Sequence, residues 1–313
     1  RVRTMGPVEP LVYDHAFPDD DWERPNFPIE AVAPMEAAHA VEAASAAGFK
    51  PDLLVMCDQY DRAFLVGESP VLWAWVAVEN FNSEQRRRWE QRRGAVEFHQ
   101  IYHRKDNAAE LPDGSEWLPF ACDPYSHPFL GLKRDKKVVQ IGTHYEPRPT
   151  VWNGLRAQLD NAPSLAAAEY GSGTQESPST IFGKVFSYAG LAEAYNRSMV
   201  TLSASNCDFL PMRVFEAFAM GAILVSDDVP AVRAGCGPPW ISPEQPGLWF
   251  AHDGTVDGQI RRVQEVAALP WGILAGVSSQ AFLHAHARHT YCYRARRILE
   301  RVGLRGAPRM VVD

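Results

Sequence analysis

Short, continuously apolar segments alternate with helical segments along this chain, and this alternation constrains the fold more than any other feature. Residues 51–57 (PDLLVMC) and 71–78 (VLWAWVAV) belong to one series, and residues 136–142 (KKVVQIG) and 199–204 (MVTLSA) belong to a second. Apolar strands separated by helices are typical of parallel sheets that are covered on both faces. The sequence therefore predicts an α/β protein with two domains.

A proline-rich connector near residues 124–135 separates the two series. We therefore place an N-terminal domain at 1–128 and a C-terminal domain at 129–313. The length of 313 residues suits two domains of about 150 residues each. Ligands bind beyond the carboxyl ends of the strands in open parallel sheets, so we expect a site in a cleft between the domains.

Composition limits the classes of protein that fit. The five cysteines form no CxxC pair, which favours reduced thiols and a cytoplasmic location. No run of about 18 uncharged apolar residues occurs, so no membrane span is expected. The formal net charge of −7 argues against general nucleic-acid binding. Cysteine and histidine spacings typical of metal sites are absent, so no metal is expected.

One helical segment contains a glutamate in an unusual place. Residues 211–220 (PMRVFEAFAM) have the apolar period of a buried helix, with Pro211 in its first turn and Gly221 suited to its end. Glu216 interrupts the apolar pattern just before a predicted strand at 222–226. A buried carboxylate is costly without a partner, so either a neighbouring side chain or a ligand is expected to satisfy Glu216.

The motifs of several other enzyme classes are absent or weak. Neither GxGxxG nor GxxxxGK[ST] occurs, and the acidic run 19–21 is interpreted as a solvated turn. Asp227 and Asp228 follow a predicted strand, but they are a weak candidate for a metal site. The scattered histidines, including His127 and His289, are interpreted as structural.

Four segments in order resemble the C-terminal half of GT-B glycosyltransferases, in particular the group-1 family that includes CgeB-like proteins. These segments are 141–155 (IGTHYEPRPTVWNGL), 194–203 (AYNRSMVTLS), 211–228 (PMRVFEAFAMGAILVSDD) and 286–299 (HARHTYCYRARRIL). The resemblance implies two Rossmann-like domains facing across a cleft, with the last helix, near 280–300, packing back on the N-terminal domain. It also implies a nucleotide-sugar co-substrate, catalysis without a metal, and retention of anomeric configuration.

The resemblance assigns roles to residues of the C-terminal half. Glu216 is expected to bind the ribose hydroxyls of the donor, and the helix start at 211–213 is expected to bind its diphosphate. Arg148 and Arg213 are candidates to stabilise the leaving phosphate. Asp208, eight positions before Glu216, is the candidate second acid. The other predicted donor-binding residues are Gly142, Ser205, Met212 and Val214.

The N-terminal half is expected to hold the acceptor. Its candidate residues are Asp58, Glu79, Asn80 and His99. The donor is expected to be a UDP-sugar such as UDP-glucose, with GDP- and ADP-sugars as alternatives. The acceptor is a small molecule, a polysaccharide, a protein or a hydroxylated base in DNA. The basic segment 86–93 (RRRWEQRR) favours the nucleic-acid option, because arginines and Trp89 suit phosphates and a stacked base.

Two further interpretations compete with a transferase. The chain is alternatively a non-catalytic carbohydrate- or nucleotide-binding protein, or a structural surface protein, with the same fold. A sugar-phosphate epimerase on the same two-domain scaffold is the third alternative. Turnover of a nucleotide sugar distinguishes an enzyme from a binding protein, and product analysis distinguishes a transferase from an epimerase.

Overall fold

The structure is a computed structural model that divides into two compact units. It describes residues 35–46, 48, 50–58, 65–77, 92–100, 114–134, 136–141, 150, 154, 167–170, 188–203 and 210–304. Unit 1 contains residues 1–101, 105–118 and 295–313, and unit 2 contains residues 102–104 and 119–294. This division falls near residue 118, whereas the sequence placed the boundary at 128. The limits of the domains and the role of each remain predictions.

Unit 1 is built on a parallel sheet. Its described elements are β1 (Met35–Glu36), α1 (Ala37–Ala46), β2 (Leu53–Asp58), β3 (Leu65–Glu68), β4 (Leu72–Ala77), β5 (Arg92–Arg93), β6 (Val96–His99) and β7 (Glu116–Trp117). The main sheet has the order β2-β4-β6-β7, and a smaller sheet has the order β1-β3-β5. All of these strands pair in parallel. The predicted strands at 51–57, 71–78 and 95–103 correspond to β2, β4 and β6.

Two local predictions in unit 1 are wrong. The helix predicted from residue 30 begins at Ala37, because Met35 and Glu36 pair with β3 as a strand. The helix predicted at 83–93 does not include Arg92 and Arg93, which pair with β3 in parallel. Pairing with a distant strand overrides local helix propensity in both places. Residues 83–91 lie outside the described part of the chain.

Unit 2 has a five-stranded sheet in the order β12-β11-β10-β8-β9. Its strands are β8 (Lys136–Ile141), β9 (Ala167–Tyr170), β10 (Ser198–Ser203), β11 (Ile223–Asp227) and β12 (Phe250–His252). The helices described in this unit are α2 (Tyr188–Arg197), α3 (Met212–Ala219), α4 (Pro230–Cys236), α5 (Val256–Ala267), α6 (Trp271–Arg288) and the first turn of α7 (Tyr291–Arg301). All neighbouring strands of this sheet are parallel. The α/β fold with two parallel sheets, predicted from the sequence, is therefore confirmed.

Both faces of the sheet in unit 2 are covered. Val138 and Val139 are consecutive residues of β8, so they point to opposite faces. Val138 packs in a cluster with β10, β11 and β12 and with apolar side chains of α5 and α6. Val139 packs in another cluster with Tyr195 of α2 and with Ala217 and Met220 at the end of α3. This second layer places α3, and therefore Glu216, against the sheet.

The end of α3 is closed by Gly221 and Arg134. Gly221 has φ +67°, the left-handed conformation expected from the sequence. The guanidinium of half-buried Arg134 donates to four backbone oxygens near the ends of α2 and α3, which belong to Tyr195, Ser198, Met220 and Gly221. These bonds satisfy carbonyl groups that a helix leaves unpaired at its C-terminus. One side chain thus stabilises both helix ends.

The core of unit 1 includes residues from the end of the described chain. Val302 is buried with Ala74, Val76, Phe98 and Leu118. Ile298 and Leu304 pack against the same cluster. Residues of α7 from position 295 onward belong to unit 1. The prediction that the last helix crosses back to the N-terminal domain stays a prediction.

The described helices were also compared with the length and apolarity that a membrane span requires. No single described helix satisfies that requirement. One consecutive pair, α5 and α6, passes by length and composition only when taken together, and it is bent by 107° at the break.

Candidate functional site

Glu216 lies on the buried side of α3. Its exposed fraction is 6%, and its neighbours Val214, Phe215 and Phe218 are fully buried. Burial raises the pKa of the Glu216 carboxyl group to about 7, while the positive charge of Arg213 and then the hydroxyl of Tyr195 act in the opposite direction. The carboxyl group therefore keeps its proton to a higher pH than an exposed glutamate, and a cation or hydrogen-bond donor beside it favours the ionised form, which is the stronger acceptor of hydrogen bonds.

The imidazole of His127 faces this carboxyl group. His127 is 4% exposed, and its Nε2 lies 3.4 Å from Oε1 of Glu216. The backbone N–H of Asp123 donates to Nδ1 of His127 at 3.2 Å. Burial lowers the pKa of His127, although nearby Asp123 acts against this effect. A neutral ring that accepts at Nδ1 carries its proton on Nε2, so the N–H group of His127 faces Glu216.

The segment that carries His127 is braced by the first turn of α7. Arg294 is 7% exposed, and it donates to the backbone oxygens of Pro119 and Phe120 and to that of Arg288. Cys122 and Tyr291 add a backbone connection, because the N–H of Tyr291 donates to the carbonyl of Cys122. The segment before His127 is therefore fixed in position by backbone and side-chain hydrogen bonds.

Three predicted residues lie in the first turn of α3. Met212, Arg213 and Val214 begin the helix, and Pro211 provides no side-chain cap. The Nη1 atom of Arg213 is buried and has no hydrogen-bond partner among the described residues. The N–H of Val214 donates to the carbonyl of Pro211, so the first turn leaves the N–H groups of Met212 and Arg213 without partners within the helix. This end of α3 thus presents positive charge and hydrogen-bond donors.

Tyr291 approaches the same end of α3 and was not singled out from the sequence. Its hydroxyl donates to Sδ of Met212 at 3.1 Å. Burial raises the pKa of Tyr291 to about 12, with a further contribution from the negative charge of Glu216. The only sequence signal was its place in the HTY segment of the C-terminal resemblance. That signal did not predict the contact with Met212, because the two residues are distant along the chain.

The order of the sheet in unit 2 defines a switch point between β8 and β10. Connections run from β8 to β9 in one direction and through β10, β11 and β12 in the other. Ligands of open parallel sheets bind where the strand order reverses, beyond the carboxyl ends. The segments that leave β8 and β10 contain Gly142, Arg148, Ser205 and Asp208, which all lie outside the described residues. Their roles stay predictions.

In unit 1, two of the four predicted acceptor residues lie in described strands. The register places Asp58, Ala77, His99 and Trp117 in one row at the carboxyl ends of β2, β4, β6 and β7. Asp58 and His99 are therefore two strands apart, which corresponds to about 10 Å. Glu79 and Asn80 follow β4 and lie outside the described residues.

His99 has a buried acidic neighbour that sequence reasoning missed. Its Nε2 lies 2.6 Å from Oε1 of Glu97, and both side chains are almost fully buried. Alternation along β6 places these two residues on the face opposite to Phe98, which packs in the core of unit 1. A polar residue within an otherwise apolar strand was the available signal for Glu97.

A cavity in unit 1 lies at the opposite end of the sheet from the predicted acceptor residues. It has a volume of about 500 Å³ and is lined at the amino ends of β2, β4 and β6 by residues that include Asp52, Ser69, Leu72 and Val96. The predicted acceptor residues lie at the carboxyl ends of the same strands. This cavity therefore does not contain the predicted acceptor site.

The described residues contain no group of three or more potential metal ligands. Asp228 forms an exposed ion pair with Arg233, with Nε 2.5 Å from Oδ1. Asp227 lies with its Oδ1 3.5 Å from Nε2 of His252, and burial lowers the pKa of His252 to about 4. These contacts give the two aspartates protein partners.

Comparison with known proteins relates this arrangement to sugar transfer. Residues 154–300 match the family described as Glycosyl transferase-like. A search of curated protein sequences found no match. The two parallel sheets with their helices match the fold of GT-B neighbours, and the family match covers a little under half of the chain. The finer likeness to CgeB-like proteins stays a prediction.

Three solved structures illustrate the likeness in fold. Sucrose-phosphate synthase from Thermosynechococcus elongatus has a TM-score of 0.56 and 12% identity, over 84% of this chain and 76% of that one. TarM has a TM-score of 0.51 and 10% identity, over 77% of this chain and 55% of TarM. A mutant of S. aureus TarM in complex with fondaparinux, alpha-GlcNAc-glycerol and UDP has a TM-score of 0.51 and 11% identity, over 74% of this chain and 51% of that one. This chain thus spans about half of the length of TarM.

Proposed function

We propose that this protein transfers a sugar from a nucleotide-sugar donor to an acceptor hydroxyl, with a UDP-sugar as the donor. The observation that carries the proposal is the buried carboxyl group of Glu216, placed one turn into α3 beside Arg213. A carboxylate accepts charge-assisted hydrogen bonds from two neighbouring hydroxyl groups. The ribose of a nucleotide offers such a pair. The TarM complex that contains UDP supports the choice of nucleotide.

In the proposed reaction, unit 2 stabilises the leaving group. The first turn of α3 directs N–H groups and a positive partial charge toward an anion. Arg213, whose Nη1 lacks a partner among the described residues, adds a full positive charge. As the bond between the sugar and the diphosphate breaks, negative charge grows on the diphosphate, and groups held in place beforehand stabilise that charge. Arg148 and Asp208 are proposed to act there too, with Gly142 and Ser205 in contact with the donor.

We further propose that the reaction proceeds without a metal and with retention of configuration, as the resemblance implies. Unit 1 is proposed to bind the acceptor through the carboxyl ends of β2, β4 and β6, where Asp58 and His99 lie in register. The acceptor classes to be compared are small molecules, polysaccharides, proteins and hydroxylated bases in DNA. The cytoplasmic location is proposed from the cysteine content alone.

Thermal unfolding with UDP, GDP, ADP and their sugars tests the donor. A ligand that binds only the folded state stabilises it by about 2.7 kcal/mol at a hundredfold excess over its Kd. We expect UDP to raise the melting temperature of the wild type and to raise that of Glu216→Gln by less. Glu193→Gln is the matched control, because Glu193 is an exposed glutamate of the adjacent helix α2 that pairs with Arg197.

Turnover separates a transferase from its alternatives. Release of UDP from a UDP-sugar, dependent on an acceptor, is the expected result. A nucleotide that binds without turnover across all four acceptor classes would indicate the non-catalytic binding protein instead. If no nucleotide stabilises the well-folded wild type, the proposed function is wrong.

A further inference from the structure

We propose that His127 is a positioning residue, which holds one carboxylate oxygen of Glu216 and thereby directs the other oxygen toward the bound nucleotide. The inference rests on the proposed function for its ligand. Its geometry rests on the described residues of unit 2 alone. The imidazole and the carboxyl group are both buried, and Nε2 of His127 lies 3.4 Å from Oε1 of Glu216.

The direction of the hydrogen bond follows from the other side of the ring. Nδ1 of His127 accepts from the backbone N–H of Asp123, so the single proton of the neutral imidazole is on Nε2. That N–H group faces Oε1 of Glu216 and has no hydrogen bond of ordinary geometry among the described residues. A buried donor without a close acceptor is costly. Ionised Glu216 is the acceptor within reach.

A short turn prevents the ring from moving away. Both carboxylate oxygens of Asp123 are used within the turn, where they accept from the N–H of Tyr125 at 3.0 Å and from the hydroxyl of Ser126 at 2.6 Å. The N–H of His127 donates to the carbonyl of Asp123 at 2.8 Å. Asn196 of α2 then holds the next residues, through Pro128 and Leu130. His127 is therefore fixed against α3 from both sides along the chain.

The contact length suits a site that tightens when its ligand binds. The 3.4 Å separation is longer than the range of about 2.7–3.2 Å for ordinary N–H···O bonds. Hydrogen bonds in active sites are often long in the absence of ligand and shorten in the complex. A ribose hydroxyl that donates to the second oxygen favours the ionised form of Glu216. The ionised carboxylate in turn attracts the N–H of His127 more strongly.

A pH-dependent change at this site could also come from other charged or titratable groups around Glu216. Arg213 lies one turn earlier on α3, and Tyr195 faces Glu216 from α2. Burial raises the pKa values of Cys122 and Tyr291 to about 12 each, so both stay neutral between pH 5 and pH 9. Asp123, whose oxygens are used within its turn, is the other nearby acid.

The first test measures Glu216 without any nucleotide. Protein labelled with ¹³C at the side-chain carboxyl of glutamate is titrated by NMR, and the signal of Glu216 is assigned by its loss in Glu216→Gln. In His127→Leu, the carboxylate loses an N–H partner, so we expect its midpoint to rise by about one pH unit. In His127→Gln, the amide N–H replaces the imidazole donor and the midpoint returns toward that of the wild type. A midpoint that is the same in wild type and His127→Leu would overturn the inference.

The second test adds UDP as the probe, with affinity measured by calorimetry from pH 5.5 to pH 8.5. We expect about tenfold weaker binding in His127→Leu and recovery in His127→Gln. The loss should disappear when His127→Leu is combined with Glu216→Gln, because a residue that acts through another shows coupling in a double-mutant cycle. An equal loss in both backgrounds would show that His127 acts independently of Glu216, which contradicts the inference. If the wild type binds no UDP, the proposed function fails, while the NMR titration still decides whether His127 holds Glu216.

Discussion

The carboxyl group of Glu216 is buried before any ligand arrives, and this burial makes its negative charge costly. Because burial raises its pKa to about 7 from an ordinary value of 4.5, the folded protein binds a proton that the unfolded chain has already released between these pH values. Stability therefore falls as the pH rises through this window. The residue that the proposed function requires in ionised form is thus a source of instability in the free protein.

This balance predicts the effect of Glu216→Gln. At pH 5 the carboxyl group is protonated in the folded state, so we expect the melting temperatures of the variant and the wild type to be similar. At pH 8 the variant should be more stable by about 3 kcal/mol, because it never ionises. Thermal unfolding at several pH values measures the difference. Glu193→Gln, which changes an exposed carboxylate, should show no such dependence, and an equal gain at every pH would contradict the explanation.

Arg134 supports a second prediction at the scale of one residue. Its guanidinium donates to four backbone oxygens, and an ammonium group cannot reach the same set with its compact geometry. We expect Arg134→Lys to lower the free energy of unfolding by about 2–4 kcal/mol. Chemical denaturation measures this loss. Arg233→Lys, at an exposed ion pair with Asp228, should leave the free energy of unfolding almost unchanged.

Sequence reasoning identified Glu216 because a single carboxylate interrupts an apolar helical period. It interpreted His127 as structural, since nothing in the local sequence shows which distant side chain a histidine faces. The contact between His127 and Glu216 arises from packing between segments that are far apart in the chain. The same reason explains why Tyr291 was not predicted. Glu97 differs, because its partner His99 lies two residues away on the same strand, and its local signal was missed. Patterns with a local period were informative, whereas partners across the fold were not.

Among the elements, α3 and β11 were predicted almost to the residue. The helix predicted at 211–220 is Met212–Ala219, and the strand predicted at 222–226 is Ile223–Asp227. Proline at the start, glycine at the end and a regular apolar period all act locally. The strand β5 was not predicted, because two residues become a strand only through pairing with Gly67 and Glu68.

The segment 119–127 is an element without regular secondary structure, and its order depends on Arg294. We expect Arg294→Lys to make local opening of this segment more frequent, because lysine cannot donate hydrogen bonds to the carbonyls of Pro119, Phe120 and Arg288 at the same time. Hydrogen exchange of the Cys122 and Tyr291 amides should become at least about tenfold faster, because their backbone bonds open locally.

Helix α5 and a neighbouring arginine provide the controls for that experiment. The amides of α5 should exchange at unchanged rates in Arg294→Lys. Arg296→Lys changes an exposed residue of the same helix, which pairs with Glu300. This variant should leave the exchange of Cys122 and Tyr291 as in the wild type. Equal acceleration in both variants would mean that Arg294 has no special role in bracing the segment.

At the scale of the whole molecule, unit 1 consists of chain segments that are distant in sequence. Residues 295–313 belong to it, although 119–294 belong to unit 2. Val302 is 8% exposed and packs with Phe98 and Leu118. The sequence predicted the apolar strands that contribute to each core. It did not show that residues near 302 pack against the core of unit 1, which was expected only from the family resemblance.

A charged residue in this core should therefore affect unit 1 selectively. We expect Val302→Asp to cost about 3 kcal/mol or more, because the new carboxylate has no partner in an apolar cluster. Limited proteolysis followed by mass spectrometry should show new cleavage between residues 53 and 118, with unit 2 still protected. Arg296→Asp places a similar charge on the exposed side of α7 and should leave the cleavage pattern unchanged.

The order in which the ribosome synthesises the chain affects when unit 1 can complete its core. Domains generally fold as units while the chain emerges, with the N-terminal one first. Here the strands of unit 1 are made early, but Ile298, Val302 and Leu304, which cover part of their core, are among the last described residues to be made. All of the segment 119–294 emerges before them. During synthesis, the apolar side chains of the first sheet therefore stay partly uncovered until residues 298–304 have been made.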